Sequence, residues 1–361
     1  MRKISASLGF ASILPRFFRV PMCLVLLGAF LQVAMNLEFT RSQVVDARKK
    51  TSSVMKGKST AADTEESSAR MGKSEGGLVG ASANYPEKLP GYRQASYDRI
   101  AWLVTHNAMS NRVEGWWFPN QSYGITRQLE DGVRGLMLDV HMIDGKPFLM
   151  HGSALLGKVP LETGLAEIKG FMKKHSDAIL TLILECYAPA TTVRKSLEES
   201  DLLSLMHHQD SGRPWPKIND MIEEDKRLVV FTDSGGGEWR GYHNVWEFCQ
   251  ETHFSVKQIA DFSYTRNRGD QSNSLFIMNH FLTRPVAGKG LAMRANDSTI
   301  LRPRIEGCEG ATKRFPNFVV VDFYECGDTP ALLAGFNRKR IGSQKGDLQA
   351  SPRKSLGTLE K

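Results

Sequence analysis

Between residues 99 and 324 the chain repeats one pattern: a short apolar run, a polar or acidic residue closing it, then a stretch of mixed polarity. The runs 99–105, 133–141, 178–186, 227–233, 274–280 and 317–324 read as strands, with a weaker one at 146–150. Residues 161–175, 191–207 and 328–337 carry helix-like spacing. Strands that alternate with helices predict a parallel sheet. The strand runs are apolar at consecutive positions, as required where helices cover a sheet whose other face is also buried. At this length a closed (β/α)8 barrel is expected rather than an open sheet, although periodicity alone does not establish closure.

The flanks lack this pattern. In residues 1–36, Arg2, Lys3, Arg16 and Arg19 precede an apolar run from Val20 to Met35. The run is longer than a signal-peptide core and shorter than a standard membrane span. It reads as a cleaved signal or an uncleaved signal anchor, and both lead into the secretory system. Basic residues on either side leave the orientation rule weak. Residues 37–85 read as a disordered linker and 339–361 as a basic disordered tail, with Lys339, Arg340, Lys345, Arg353 and Lys354 among Ser and Gly. The body is expected at 86–338.

Composition adds two constraints. The 361 residues are 41% apolar and 24% charged, which suits a globular core, and the net charge of +8 favours anionic partners. Much of that excess lies in the tails. No nucleic-acid-reading motif and no zinc-ligand spacing is present, and Ser234–Gly237 lacks the Gly-Lys-Ser/Thr that a nucleotide P-loop requires. Four of five cysteines lie in the body, Cys186, Cys249, Cys308 and Cys326. If disulfides form, Cys308 and Cys326 are the expected pair; the alternative is four unpaired core thiols. Asn120-Gln-Ser122 and Asn296-Asp-Ser298 are glycosylation triplets.

The candidate chemistry stands at the strand ends. The first strand delivers His106 and Asn107, the second Asp139 and His141, and the 146–150 run His151. Glu185, Asp233, His280 and Asp322 close the later ones. An acid inside an apolar run is unfavourable unless it is paired, hydrogen-bonded or bound to a cation. Several at corresponding ends therefore point to one shared cavity. Two histidines can divide a reaction between taking a proton and giving one; the plain alternative is a pair of hydrogen-bonded structural rings.

The segments Thr105-His106-Asn107-Ala108-Met109, Leu129-Glu130-Asp131-Gly132-Val133-Arg134-Gly135, Leu138-Asp139-Val140, Met150-His151-Gly152 and Leu184-Glu185 occur in one order. With Asp322 in the last strand, that order resembles the X-domain of phosphatidylinositol-specific phospholipase C, most of all the single-domain phosphodiesterases that carry only this module. The resemblance spans about residues 95–340 and is strongest over 99–190. It implies a TIM-like barrel, often imperfectly closed, and cleavage of the phosphodiester between diacylglycerol and inositol phosphate. By that resemblance His106 is the general base that deprotonates the inositol 2-hydroxyl, His151 the general acid that protonates the departing glycerol oxygen, and Asp322 the carboxylate that orients His106. A phosphatidylinositol-like phospholipid, presented at a membrane surface to a monomeric enzyme, is the implied partner.

The phosphate gains charge density in the transition state, so a cation belongs beside it. The resemblance implies Ca2+ held by Asn107, Asp139 and Glu185, with Met137 standing where a fourth ligand, a glutamate, is expected. Bacterial relatives of that family place an arginine on the second strand instead. None occupies that position here; Arg134 is the alternative candidate, against which alternation from Asp139 argues by pointing it away from the cavity. For Asp139 and Glu185 the alternative is ion pairing to Lys or Arg. Asp233 is expected as a pocket-wall residue, and His141 and His280 as pocket-wall or structural residues. Trp116, Trp117 and Phe118 are read as packing at the barrel mouth or as a membrane-touching rim. Two other functions remain open: a phosphodiesterase for glycerophosphodiesters or sphingolipid-like substrates, and a catalytically inactive anionic-lipid-binding module.

Overall fold

The computed structural model describes residues 84–283 and 285–349. The targeting segment 1–36, nearly all of the linker expected at 37–85, and residues 350–361 lie outside them. Eleven strands form one sheet. They are β1 Trp102–Thr105, β2 Gly135–Ile143, β3 Lys146–Met150, β4 Lys158–Pro160, β5 Leu180–Cys186 and β6 Leu228–Thr232. There follow β7 Tyr242–Asn244, β8 Cys249–Thr252, β9 Arg266–Arg268, β10 Leu275–Asn279 and β11 Phe318–Val321.

Parallel ladders run through β7-β6-β5-β2-β1-β11-β10-β8, an order that places the first of these strands in the chain beside the last. Only a β7–β8 ladder would complete the circuit, and none is formed among the described residues. The short helix Val245–Phe248 joins those two strands, and β8 takes β9 as an antiparallel neighbour instead. The fold is thus a TIM-like (β/α)8 barrel open at one seam, as the resemblance implied. The seam strands escape the sequence reading because they are short and polar, Tyr-His-Asn and Cys-Gln-Glu-Thr.

Strand alternation sorts the side chains into two cores. Leu103, Leu136, Leu138, Leu182, Val230, Met278 and Val319 pack outward against helix residues such as Leu165, Ile168, Val193 and Ile305. Trp102, Val104, Ile183, Phe231, Ile277, Phe318 and Val320 pack inward together, with Met137 beside them. The segment before β1 closes the floor of the barrel. Tyr97 lies against Trp102 and Trp215, and its hydroxyl meets Thr181 Oγ1 at 2.6 Å. Arg134 is buried at this end, where its guanidinium pairs with Glu87 and lies over Phe171. It faces away from the opposite mouth, as alternation required.

β2 runs past the barrel and turns back at Asp144-Gly145, where φ is +49° and +74°. Two consecutive positive φ values make the two-residue turn that suits a twisted hairpin. The weak 146–150 run is therefore an antiparallel return strand rather than a barrel strand, and it carries His151 back over the mouth.

One expectation is corrected and one open alternative is resolved. The last helix, Thr329–Gln349, continues beyond 338, so the tail expected from 339 begins as helix. Arg340 lies over the Phe315 ring at 3.8 Å and Ile341 is buried, which holds this turn against the body. The four body cysteines are buried free thiols. Cys308 packs in the outer core, whereas Cys326 lies in a separate small cluster with Ala292 and Phe323.

Two buried imidazoles make the fold sensitive to acid. His243 Nδ1 donates to Val230 O at 3.0 Å and Nε2 accepts from Gln209 N at 3.0 Å. His280 Nε2 donates to Ala295 O at 2.7 Å. Burial lowers His243 to about 4 and His280 to about 3. An imidazole of the unfolded chain takes a proton near pH 6.5. Because the folded values lie lower, the unfolded chain binds more protons through that window, and stability falls as the pH drops. From pH 7 to pH 5 each group removes on the order of 2 kcal/mol. The urea midpoint is expected to fall over that interval, and His280→Gln is expected to reduce the fall; a midpoint independent of pH would contradict neutral burial of these rings.

Candidate active site

Trp102 and Val104 face into the barrel, so the next residue on that face is His106, one position beyond β1. Its backbone is held on both sides. His106 N donates to Val321 O at 3.0 Å, continuing the β1–β11 ladder, and Gln121 Nε2 donates to His106 O at 2.8 Å. Asn107 then turns the chain with φ +46°. The same face of β11, after Phe318 and Val320, delivers Asp322. His106 Nδ1 donates to Asp322 Oδ1 at 2.9 Å, and the ring stacks on Phe281 at 3.8 Å with an interplanar angle of 11°. The His106 side chain is 20% exposed and that of Asp322 4%.

His151 repeats the pairing from the return hairpin. Its Nδ1 donates to Asp139 Oδ2 at 2.9 Å, and its side chain is 48% exposed. The two rings stand 6.5 Å apart, centroid to centroid, at 69°. Each imidazole gives Nδ1 to a carboxylate, so each presents Nε2 for other chemistry. A hydrogen bond spans about 2.8 Å, so one phosphate between the rings is within reach of both. The hydrogen bond to Asp139 raises the His151 pKa above the ordinary imidazole value, against the opposing effect of burial. His151 therefore holds its proton more readily, which suits a general acid.

Asp139 and Glu185 are register partners across β2 and β5 and share the inward face. Asp233 follows Phe231 on that face; it accepts from Cys186 N at 2.8 Å, and burial raises its pKa. The Tyr187 hydroxyl donates to Glu185, and its ring stacks on His141 at 4.3 Å. Among the described residues neither Asp139 nor Glu185 pairs with Lys or Arg. Their partners are His151 and Tyr187, each of which engages one carboxylate oxygen. Asn107, at the end of the neighbouring β1, gives its Nδ2 to Asn120 Oδ1, which leaves its own oxygen as the uncommitted end. Among the described residues no three His, Cys, Asp or Glu side chains gather as a metal-binding group. Amide and carboxylate oxygens such as those of Asn107, Asp139 and Glu185 are of the chemical type that suits a hard cation.

His280 does not line the cavity. It continues the outward face of Phe276 and Met278, is fully buried and stacks on Phe262 at 4.7 Å. Counting alternation from those neighbours would have excluded it and selected Phe281, the inward residue that supports His106. Trp116 is buried over Gly157, whereas Trp117 is exposed. The asparagine of each glycosylation triplet is buried. Asn120 Nδ2 donates to Asp322 Oδ1 at 3.0 Å, and Asn296 Nδ2 donates to Asp322 O at 3.0 Å. Sequence reasoning noted Asn120 only as part of a glycosylation triplet and missed it as a site residue.

A model of the family described as PI-PLC X matches residues 92–337. A PI-PLC X domain-containing protein of Arabidopsis thaliana is 30% identical over 254 residues, covering 63% of this chain and 58% of that protein. An uncharacterized secreted protein of Arthroderma benhamiae is 24% identical over 259 residues, 64% of this chain and 58% of that protein. This chain thus spans under two thirds of the length of these two relatives. PI-PLC X domain-containing protein 1 of the same organism is 25% identical over 262 residues, 66% of this chain and 85% of its own. Phosphatidylinositol-specific phospholipase C of Listeria monocytogenes aligns over 70% of this chain and 98% of its own at 13% identity, with a TM-score of 0.48.

The burial of both asparagines has a direct consequence. When the chain is made in a secretory host, peptide mass mapping is expected to find Asn120 and Asn296 without glycan. A glycan on Asn120 in folded protein would show that its amide is not held at Asp322.

Proposed function

This chain belongs to the PI-PLC X-domain family, and from that premise we propose that it is a phosphoric diester hydrolase/lyase that cleaves the headgroup phosphodiester of a phosphatidylinositol-like lipid. The observation that carries the reading is the pair of imidazoles 6.5 Å apart, each oriented by its own carboxylate. His106 Nε2 removes the proton of the inositol 2-hydroxyl. That oxygen attacks phosphorus as the bond to the glycerol oxygen breaks. His151 gives its proton to the departing oxygen, and diacylglycerol and a cyclic inositol phosphate leave. Asp322 and Asp139 hold the rings in register, and Asp139 favours the charged imidazolium of His151.

Asn107, Asp139 and Glu185 would hold Ca2+, which would offset the charge that builds on the phosphate. Met137 packs with the interior apolar core and brings no oxygen, so the site is weaker than a four-ligand one. The same residue favours the second reading, a lipid-binding module without turnover.

A membrane surface as the place of reaction is supported by the mouth of the barrel. Val113 and Trp117 after β1, Leu155 after β3, Tyr187 after β5, Phe254 after β8 and Met293 after β10 are exposed. All follow the C-terminal ends of strands, the end that carries the imidazoles. Exposed apolar side chains that follow strand ends on the side of the site are the kind that contribute to an interaction surface. Entry into the secretory pathway through residues 1–36 is consistent with such a location; among the described residues no helix is long and apolar enough to cross a membrane.

Release of inositol phosphate from phosphatidylinositol vesicles tests the mechanism. His106→Ala and His151→Ala are each expected to lower the rate by about 100- to 10,000-fold. Activity that survives both substitutions removes the mechanism, and a preference for choline lipids removes the inositol assignment. Chelation with EDTA is expected to abolish turnover and added Ca2+ to restore it. Turnover untouched by EDTA removes the metal, and vesicle binding without any turnover favours the lipid-binding module.

A further inference from the structure

We propose that Asn120 is a positioning residue whose single amide sets both the orientation of His106 and the direction of the Asn107 oxygen. The inference deepens the phosphodiesterase reading and rests on it for its kinetic arm. Asn120 is buried in the loop after β1, where its backbone ties two loops together. Asn120 N donates to Ser110 O at 3.0 Å, and Asn120 O accepts from Phe323 N at 2.8 Å. The side chain is thereby fixed beside Asp322.

The polarity of the amide follows from its neighbours. Asp322 offers only acceptor oxygens when ionised, and its Oδ1 receives His106 Nδ1 at 2.9 Å. Asn120 must turn its nitrogen toward that carboxylate, and Nδ2 reaches Oδ1 at 3.0 Å. The 3.3 Å approach of Asn120 Nδ2 to His106 Nδ1 is then a contact between two donors, since the Nδ1 proton is given to Asp322. With its nitrogen so placed, Asn120 presents Oδ1 to Asn107, whose Nδ2 donates at 3.3 Å. Donor and acceptor ends thus run in one sense, Asn107 to Asn120 to Asp322. At one end the relay keeps Asp322 in line with Nδ1–H, so that His106 Nε2 carries the lone pair. At the other it commits the Asn107 nitrogen and leaves the Asn107 oxygen for a cation or a polar group of the substrate. A flip of the Asn120 amide would place oxygen against carboxylate and nitrogen against nitrogen.

The full chain tests this in three ways. In the wild type, nitrogen NMR of the His106 ring is expected to show one tautomer, protonated at Nδ1, with the Asn120 side-chain amide slow to exchange. Asn120→Ala removes both bonds. Asn120→Asp keeps the shape and the acceptor but sets a like charge against Asp322. Both variants are expected to lose the single-tautomer signature and to lower kcat about 10- to 100-fold with KM little changed, while the urea midpoint shows the protein still folded. A folded variant with an unchanged ring spectrum and full kcat would make Asn120 a packing residue and overturn the proposal. If neither variant folds, the wild-type measurement decides: an Asn120 amide exchanging as a free group would overturn it. A wild type that turns over no lipid would remove the proposed function, while the ring spectra would still test the relay.

Discussion

Period-two alternation of side chains along parallel strands is the constraint on which this molecule depends. In a barrel, every second residue of each strand is enclosed. The apolar layer formed by Trp102, Val104, Ile183, Phe231, Phe318 and Val320 fills the interior. One step further along the same face of each strand come His106, Glu185, Asp233 and Asp322, while Asp139 stands one step above Met137. The same geometry that packs the core therefore assembles the polar ring above it. Moving any of these residues by one position would send it under the helices, as His280 shows. That ring is buried neutral against Phe262 instead of facing the mouth.

Gathering carboxylates at the mouth of an apolar barrel is unfavourable unless each finds a partner. Among the described residues Asp139, Glu185, Asp233 and Asp322 find imidazoles, a phenol, a backbone amide and a side-chain amide rather than Lys or Arg. Neutral donors satisfy the carboxylates without cancelling their charge. The charge remains available to hold a proton on an imidazole, and the raised His151 pKa is its expression. The two Asp–His pairs are nevertheless unequal. His106 sits where β1 and β11, the first and last of these strands in the chain, meet, pinned by their ladder and stacked on Phe281. His151 rides on a return hairpin and is half exposed. Under the proposed mechanism the base, which must meet one hydroxyl, would gain from that rigidity, and the acid, which serves a departing group, from that open side.

The barrel was legible in the sequence wherever its strands were long and apolar. β1, β2, β5, β6, β10 and β11 each overlap the corresponding apolar run, because burial on both faces leaves a continuous apolar signal. The seam strands β7 and β8 were not legible, since polar residues in three- and four-residue strands leave no periodicity to read. Of the site, His106, Asp139, His151, Glu185, Asp233 and Asp322 could be placed together from strand ends and from the family resemblance. Gln121, Asn120 and Phe281 could not. The first two lie on the irregular loop after β1, where position follows from tertiary hydrogen bonds, and Phe281 looks like ordinary core until its parity is counted.

The nature of the residue beside Asp322 follows from what that carboxylate must do. A lysine there would neutralise the charge and weaken its hold on the His106 proton. A second carboxylate would repel it, and an apolar side chain would leave a buried lone pair unmet, at a penalty of about 1–3 kcal/mol. A hydroxyl is too short to reach from the Asn120 backbone to both Asp322 and Asn107. An amide has no net charge and carries a donor and an acceptor at opposite corners of one rigid plane, which matches neighbours that demand opposite polarity. Asn296 meets the backbone oxygen of the same aspartate with the same chemistry. Asp322 is thus held at its side chain and its main chain by two neutral amides, so its position is fixed while its charge is left for the imidazole.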